Sequence, residues 1–275
     1  MPQYCRAACL QMNALADIAA NLALLEPQLA EAVRQGAQLI ALPENVTFIG
    51  GDDALKCLHA KTDNEHPALP FFAAQARQHG VWLMCGSLTI KRADGLHNNR
   101  SYLFAPDGNI AAHYDKIHLF DASLSSGETY RESDLVAPGS QAILATTPFG
   151  KLGLTICYDV RFAQLYRVLA QAGAAIITVP AAFTVPTGQA HWHSLLRARA
   201  IETGCFILAP AQCGTHEGGR RTFGHSLIVD PWGSVLAEAG DEPTIIYADL
   251  NLEDVARVRH MLPSLQHDRT FAVTK

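Results

Sequence analysis

The chain has 275 residues, of which 49% are hydrophobic, and a formal net charge of -5. This length suffices for one large α/β domain, so we expect residues 1–275 to form a single domain. A negative balance without a basic cluster argues against a nucleic-acid partner. No apolar run approaches the roughly 18 residues that span a bilayer, and no signal-peptide core follows Met1, so we expect a cytoplasmic protein without membrane contact.

The cysteines and histidines do not form a metal-binding pattern. Seven scattered cysteines, an odd number, include no C-x-x-C pair, and a chain of this size does not need disulfides. His191 and His193 point to different faces of a predicted helix, and no H-E-x-x-H motif occurs. We therefore expect reduced thiols, no metal site and no other cofactor.

The first elements place a carboxylate directly after a buried strand. Tyr4 to Gln11 is a predicted strand, Asp17 caps a helix that runs to Gly36, and Gln38 to Leu42 is a short buried strand. Glu44 follows at once, and ligands of open α/β sheets bind at the carboxyl ends of strands. Taken alone, Glu44 is equally compatible with a turn cap or a structural ion pair.

A second helix and a hairpin come next. Leu69 to His79 is predicted as a helix that Gly80 ends, and Val81 to Ile90 as a strand paired with Asn98 to Ala105.

A lysine also follows a predicted strand. Lys116 comes two residues after the end of the predicted strand Ile110 to Tyr114, although a solvated surface lysine is the ordinary alternative. Ala122 to Gly139 lacks periodicity and is rich in Ser, Glu and Gly. This composition predicts a long functional loop or lid.

The second half is organised around a strand that stops at Cys157. The pattern predicts a strand, a sharp elbow and a helix from Phe162 to Gln171, followed by the strand Ala175 to Val179. An irregular loop, Pro180 to Gly188, then precedes a helix from Ala190 to Thr203. A thiol near the first turn of a helix is favoured as thiolate. An inert buried thiol is the alternative for Cys157.

Glu44, Lys116 and Cys157 are each ambiguous, but all three follow strands at what should be one edge of the sheets. Cleavage of an amide by a thiol needs a base, a nucleophile and a group that stabilises the oxyanion. These three side chains supply those functions. A cysteine–histidine hydrolase is the competing arrangement, but no particular histidine is marked as its base.

The residues around these positions resemble the nitrilase (carbon–nitrogen hydrolase) superfamily. The matching segments are Leu42-Pro43-Glu44, Tyr114 to Leu119 and Cys157 to Phe162. Segments of the second half resemble the Nit branch of that superfamily, namely 190–192, 196–202, 211–214, 224–226 and 230–233. The resemblance implies an α/β fold built as a four-layer α-β-β-α sandwich, with two mixed sheets flanked by helices.

The resemblance also implies roles for single residues. Glu44 would be the general base, Cys157 the nucleophile, and Lys116 with the backbone N–H of Tyr158 the oxyanion site. Asp115 departs from the arginine that the family often has there. The loop Asp121 to Ser133 also diverges, which leaves the auxiliary acid open between Glu132, favoured by register, and Glu128.

Three more residues are implied to bind substrate. Arg161 would take the carboxylate of a 2-oxo acid, and Phe183 and Thr187 would line the pocket. The alternatives are an ion pair at a helix start for Arg161 and a place in the core for Phe183.

The implied activity is hydrolysis of a small anionic amide through a thioester. Within the superfamily the chain is most similar to the amidases of metabolite repair that cleave deaminated glutathione to 2-oxoglutarate and cysteinylglycine. An ω-amidase acting on 2-oxoglutaramate or succinamate is the alternative, and a nitrile hydrolase is less supported. A non-enzymatic scaffold should have lost one of the three catalytic residue types. The resemblance further implies a homodimer or larger homo-oligomer.

Overall fold

The structure is a computed structural model that describes residues 2–50, 53–124 and 127–274. Its helices are α1 (Ile18–Arg34), α2 (Asp53–Leu58), α3 (Ala68–His79), α4 (Ala163–Gln171), α5 (Val185–Thr203) and α6 (Glu253–Met261). Its strands are β1 (Tyr4–Gln11), β2 (Leu39–Ala41), β3 (Trp82–Met84), β4 (Leu88–Lys91), β5 (His97–Phe104), β6 (Ile110–Asp115), β7 (Asp121–Ser123), β8 (Thr129–Arg131), β9 (Ile143–Thr147), β10 (Gly150–Leu154), β11 (Ala174–Thr178), β12 (Phe206–Ala209), β13 (Cys213–Thr215), β14 (Arg221–Phe223), β15 (Leu227–Val229), β16 (Val235–Glu238) and β17 (Thr244–Asn251).

Most strands belong to two mixed sheets. The first has seven strands in the order β17-β1-β2-β3-β5-β4, with β6 paired to β5, and is parallel from β1 to β3. The second has six strands in the order β16-β15-β12-β11-β10-β9, and is parallel from β10 to β12. Two short ribbons, β7–β8 and β13–β14, lie outside both sheets.

The alternation of side chains along β1 shows how the layers are formed. Cys5, Ala7 and Cys9 share a core with residues of the second sheet, whereas Ala8 and Leu10 pack with buried residues of α1 and α3. Successive residues of a strand point to opposite faces, so one strand contributes to both cores. Helices α4 and α5 cover the second sheet. The expected four-layer α-β-β-α sandwich is confirmed.

Several predicted ends of helices are confirmed. The Asp17 carboxylate accepts a hydrogen bond from the N–H of Ala20 at 2.8 Å, so Asp17 is the N-cap of α1. Gly80 and Gly204 end α3 and α5 in the left-handed conformation, with φ of 65° and 58°.

All seven cysteines are free thiols. Within the described residues, no helix is long and apolar enough to cross a membrane.

Two predicted segments differ from the structure. Helix α5 begins at Val185 rather than at Ala190, because Pro186 is well tolerated in the first turn and extends the helix into the expected loop. The segment predicted as an irregular loop from Ala122 to Gly139 contains part of the ribbon β7–β8 and a 3₁₀ turn at Glu132–Asp134. Its residues 125 and 126 lie outside the described residues.

The strand predicted from Val81 to Ile90 is divided into β3 and β4 by Gly86. This residue has a φ of 74°, and a Cβ built on it would lie 1.9 Å from the carbonyl oxygen of Pro43. The N–H of Asn45 donates to Ser87 Oγ at 3.1 Å. The close approach at Gly86 therefore helps to fix the segment that carries Glu44.

We predict that Gly86→Ala lowers the free energy of unfolding by at least about 3 kcal/mol, since a left-handed alanine and a backbone collision both add to the cost. The matched control is Gly80→Ala, which also has a positive φ but no atom within 4 Å of the added Cβ. The control should lose about 1–2 kcal/mol. Urea unfolding measures both variants, and equal losses would contradict this account of Gly86.

Candidate active site

The structure brings together the three side chains that follow predicted strand ends. Glu44 follows β2, Lys116 follows β6, and Cys157 lies just beyond β10. Lys116 Nζ lies 2.9 Å from Glu44 Oε1. The exposed fractions of Glu44, Lys116 and Cys157 are 3%, 2% and 8%, so the group is almost closed to bulk water.

A second carboxylate completes the surroundings of Lys116. Glu132 Oε2 lies 2.9 Å from Lys116 Nζ and also accepts the N–H of Phe120 at 2.7 Å. Glu128, the other candidate for the auxiliary acid, is exposed on the chain segment before β8. Of the two acids, Glu132 is the one that contacts Lys116.

Asn99 is a buried site residue that the sequence analysis missed. Its Nδ2 donates to Glu44 Oε1 at 2.9 Å and to Glu132 Oε1 at 3.1 Å. The available signal was a pair of consecutive asparagines inside the predicted strand, a residue type that strands disfavour. Asn99 links the two carboxylates on either side of Lys116.

Two further hydrogen bonds, from residues near the second sheet, fix the second carboxylate oxygen and the backbone carbonyl of Glu44. Its Oε2 accepts the N–H of Ala182 at 3.0 Å, and Gln212 Nε2 donates to the backbone carbonyl of Glu44 at 3.0 Å. The carboxylate also acts electrostatically on the Cys157 thiol, whose pKa it raises. Glu44 therefore stands between the ammonium and the thiol.

The elbow at Cys157 is strained and firmly held. Cys157 has a φ of 47°, which is rare for a residue other than glycine and often marks a functional position. Its N–H donates to the carbonyl of Pro180 at 2.9 Å. The fully buried Asp159 accepts the N–H of Ile156 at 2.9 Å and the hydroxyl of Tyr114 at 2.7 Å. These contacts fix the direction of the thiol.

The charges of the site follow from burial and from these contacts. Burial raises the pKa of the Cys157 thiol well above its usual value; Glu44 raises it further, and Lys116 offsets only part of the effect. Burial alone would raise the pKa of Glu44, but Lys116 and the hydrogen-bond donors outweigh it, and the pKa is lowered. The pKa of Lys116 is raised well above normal, because Glu132 and Glu44 outweigh its desolvation.

The resting site therefore contains a carboxylate, an ammonium and a neutral thiol. This differs from the thiolate that proximity to a helix start suggested, because burial and the facing carboxylate dominate. A neutral thiol next to an ionised carboxylate is suited to proton transfer during nucleophilic attack.

These groups line a cavity whose empty space, counted together with its opening to solvent, is about 470 Å³. The cavity is lined by all eight of the predicted site residues, namely Glu44, Lys116, Glu132, Cys157, Tyr158, Arg161, Phe183 and Thr187. The lining also contains residues that the sequence analysis did not identify: Asn45, Lys56, Phe120, Tyr130, Ala182, Thr184 and Arg220. These seven additional residues lie on short ribbons, on loops and on the small helix α2, where the sequence has no periodic pattern that would identify them.

The guanidinium group of Arg161 packs against two aromatic rings. Its guanidinium carbon lies 5.7 Å from the ring centre of Tyr158 and 5.5 Å from that of Phe183. Among the described residues it forms no ion pair, which argues against the alternative of a pair at the helix start. Phe183 belongs to the core and the cavity at once, since it is 5% exposed and packs on Trp192 with ring centres 4.7 Å apart. Thr187 Oγ1 lies 2.7 Å from the hydroxyl of Thr184.

Two features lie outside the cavity. Asp115, which departs from the family pattern, pairs with Arg100 at 2.6 Å rather than facing the site. His193, His225 and Glu238 bring three possible metal ligands within 4.8 Å of one another in the described part of the chain, and both histidines are hydrogen-bonded to Glu238. None of these three lines the cavity, and the expectation of a reaction without a metal stays a prediction.

We predict that Cys157 carries no thiolate at neutral pH. Because its pKa is raised above the usual value of 9.0, thiolate should form only in strongly alkaline solution. The measurement is the ultraviolet absorbance of thiolate against pH, taken as the difference between the chain and its Cys157→Ser variant. A thiolate signal that is complete near pH 7 would contradict this account.

Comparisons with known proteins point to one family. The pattern of the family described as carbon-nitrogen hydrolase matches residues 6–260. A curated relative named deaminated glutathione amidase, from Synechocystis sp., is 43% identical over 265 residues, which cover 95% of this chain and 97% of the relative. Saccharomyces cerevisiae Nit3, a member of branch 10 of the nitrilase superfamily, has a similar structure with a TM-score of 0.89 and 27% identity, covering 98% of each chain.

A further solved structure bears on the cysteine. A mutant of the amidase from Nesterenkonia sp. AN1 shows Michael addition of acrylamide at its active-site cysteine. It aligns with 29% identity and a TM-score of 0.80 over 94% of this chain and 98% of that one. The family match covers nearly the whole chain, and the buried carboxylate, lysine and cysteine form one site. This chain therefore belongs to the carbon–nitrogen hydrolase family of the nitrilase superfamily.

Proposed function

We propose that this chain is a cysteine-dependent amidase that hydrolyses deaminated glutathione to 2-oxoglutarate and cysteinylglycine. The observation that carries the proposal is the buried ion pair of Glu44 and Lys116, which lines one cavity together with the Cys157 thiol and Arg161. The name of the Synechocystis relative supports the choice of substrate.

Acylation begins with the neutral thiol. Glu44 takes the proton from Cys157 as the sulfur attacks the amide carbon, so a high thiol pKa is overcome only when the substrate is in place. The carbonyl oxygen becomes negative and is stabilised by Lys116 and by the backbone N–H of Tyr158. One well-aimed donor of this kind is worth about 3–4 kcal/mol.

Release of the amine and hydrolysis complete the cycle. Protonated Glu44 gives its proton to the leaving nitrogen, the C–N bond breaks, and a thioester remains on Cys157. Glu44 then takes a proton from water as the water oxygen attacks the thioester carbon. The C–S bond breaks, the acid is released, and Glu44 returns the proton to the Cys157 sulfur. Glu132 acts as a positioning residue, since it holds Lys116 and is bridged to Glu44 through Asn99.

Arg161 is assigned to the acyl half of the substrate. It lies four residues after the nucleophile, and an acyl group attached to Cys157 would carry its 2-oxo acid carboxylate on that side. Arginine binds carboxylates through two parallel N–H groups. Phe183 and Thr187 line the same cavity.

An ω-amidase acting on 2-oxoglutaramate or succinamate remains the second candidate, because Arg161 and the catalytic groups would serve its acyl half equally well. We also propose that residues 1–275 form a single domain, that the chain associates into a homodimer or larger homo-oligomer, and that its location is cytoplasmic.

We predict that deaminated glutathione is cleaved with a higher kcat/KM than 2-oxoglutaramate. The two substrates share one acyl group, so comparing cysteinylglycine release with ammonia release isolates the preference for the leaving group. Cys157→Ala should abolish both activities and serves as the blank. A preference for 2-oxoglutaramate would favour the ω-amidase, and an undiminished rate in Cys157→Ala would refute the mechanism.

A further inference from the structure

Two histidines and a carboxylate meet outside the cavity, where three segments of the second half of the chain converge. His193 lies on α5, His225 lies between β14 and β15, and Glu238 ends β16. One possible ligand atom from each of these residues lies within 4.8 Å of the other two. Imidazole nitrogens and a carboxylate oxygen are ligands that Zn²⁺ uses in proteins. Because all three residues are at least partly exposed, water can complete the coordination.

The distances within this group are close to those of a metal site. Glu238 Oε1 lies 2.8 Å from His193 Nε2 and 3.0 Å from His225 Nδ1. Ligand atoms that bind a tetrahedral Zn²⁺ at about 2.0–2.1 Å lie about 3.3 Å from one another. Both separations therefore need to widen by only about 0.5 Å or less. Small rotations of the exposed Glu238 side chain can supply this change.

A second carboxylate faces the other nitrogen of His225. Its Nε2 lies 3.0 Å from Asp241 Oδ1. A histidine that binds a metal usually donates its second ring N–H to a carboxylate or carbonyl, which fixes its tautomer and its orientation. A neutral His225 that donates from Nε2 to Asp241 has a lone pair on Nδ1, directed at Glu238. Two acceptors that face each other at 3.0 Å repel, and a cation bound to both removes this repulsion.

The backbone and the ring of His225 are held in place by their surroundings. His225 has a φ of 55°, which is uncommon for a residue other than glycine. Its backbone carbonyl accepts the indole N–H of Trp192, the neighbour of His193, at 2.7 Å. Its ring stacks on Phe223 with ring centres 4.4 Å apart. The segment before β15 is thereby fixed against α5 without any ion, as a preorganised metal site requires.

We propose that His193, His225 and Glu238 bind one divalent metal ion of the zinc type, with Asp241 orienting His225. The ion links α5, the segment before β15 and the end of β16. None of its ligands lines the cavity, so the ion is structural and the inference does not depend on the proposed amidase reaction. Spacing along the chain could not indicate this site, because the partners of His193 come from distant segments.

The competing arrangement is a protonated His225 that donates to Glu238 and to Asp241 without a metal. His193 would then donate to the same oxygen of Glu238. The ring centres of the two histidines are 5.7 Å apart, so two protonated rings would repel each other. Both rings are neutral when they bind a metal, and this repulsion does not arise.

The test is calorimetric titration of the untagged, chelator-treated chain with Zn²⁺. We expect one bound ion that is lost in His193→Gln and in Glu238→Gln. Asp241→Asn should keep the ion but weaken its affinity about 10- to 100-fold, since it changes only the partner of a ligand. The matched control is His260→Gln on α6, because His260 is exposed and lies outside the group. Its affinity should equal that of the unsubstituted chain.

Titration with Co²⁺ separates this site from the seven free thiols, which can also bind metals. Co²⁺ bound by histidines and a carboxylate should show visible absorption bands without the ultraviolet charge-transfer band of a cobalt–thiolate bond. No zinc bound by the unsubstituted chain, unchanged binding in both His193→Gln and Glu238→Gln, or a thiolate band from all of the bound cobalt would overturn the inference. None of these outcomes bears on the cleavage of deaminated glutathione.

Discussion

The site depends on one buried ammonium held between two buried carboxylates. Lys116 contacts Glu44 and Glu132 at 2.9 Å each, and Asn99 donates to both acids. A buried charge is tolerated only when it is paired and hydrogen-bonded, so removal of one member leaves the others uncompensated. The same pairing keeps Glu44 ionised and Lys116 charged. The ion pairs of Lys116 therefore both stabilise the site and keep Glu44 in the charge state that proton transfer requires.

The stacking of the two sheets brings the thiol to this charged group. Lys116, Glu44 and Asn99 belong to the first sheet or follow its strands, whereas Cys157 follows a strand of the second. The hydroxyl of Tyr114 on β6 donates to Asp159 beyond the Cys157 elbow, so the two halves are joined beside the site. Burial also raises the pKa of Cys85, to about 12. Cys157 differs from such a thiol because a carboxylate and an ammonium face it at a strained elbow.

Local signals predicted the elements whose ends are determined by single residues. The Asp17 cap and the glycine that ends α3 are examples, because a cap or a left-handed glycine acts within one turn. The break at Gly86 could not be predicted, since it depends on Pro43, which approaches from another strand end. Glu44, Lys116 and Cys157 were identifiable because each follows a strand and matches a family motif.

The remaining site residues had no such marker. Asn99 lies inside a strand, and Arg220 lies in a turn that becomes part of the cavity only after the ribbon β13–β14 is packed. Their places depend on contacts between segments far apart in the chain.

The proposed reaction passes through an acyl group carried by the Cys157 sulfur. The most direct measurement is acid quenching of the enzyme during turnover of deaminated glutathione, followed by mass spectrometry of the Cys157 peptide. We expect a mass increase equal to one 2-oxoglutaryl group on Cys157, and no such increase in Cys157→Ala. Active turnover with an unmodified Cys157, or the acyl group on another residue, would contradict it.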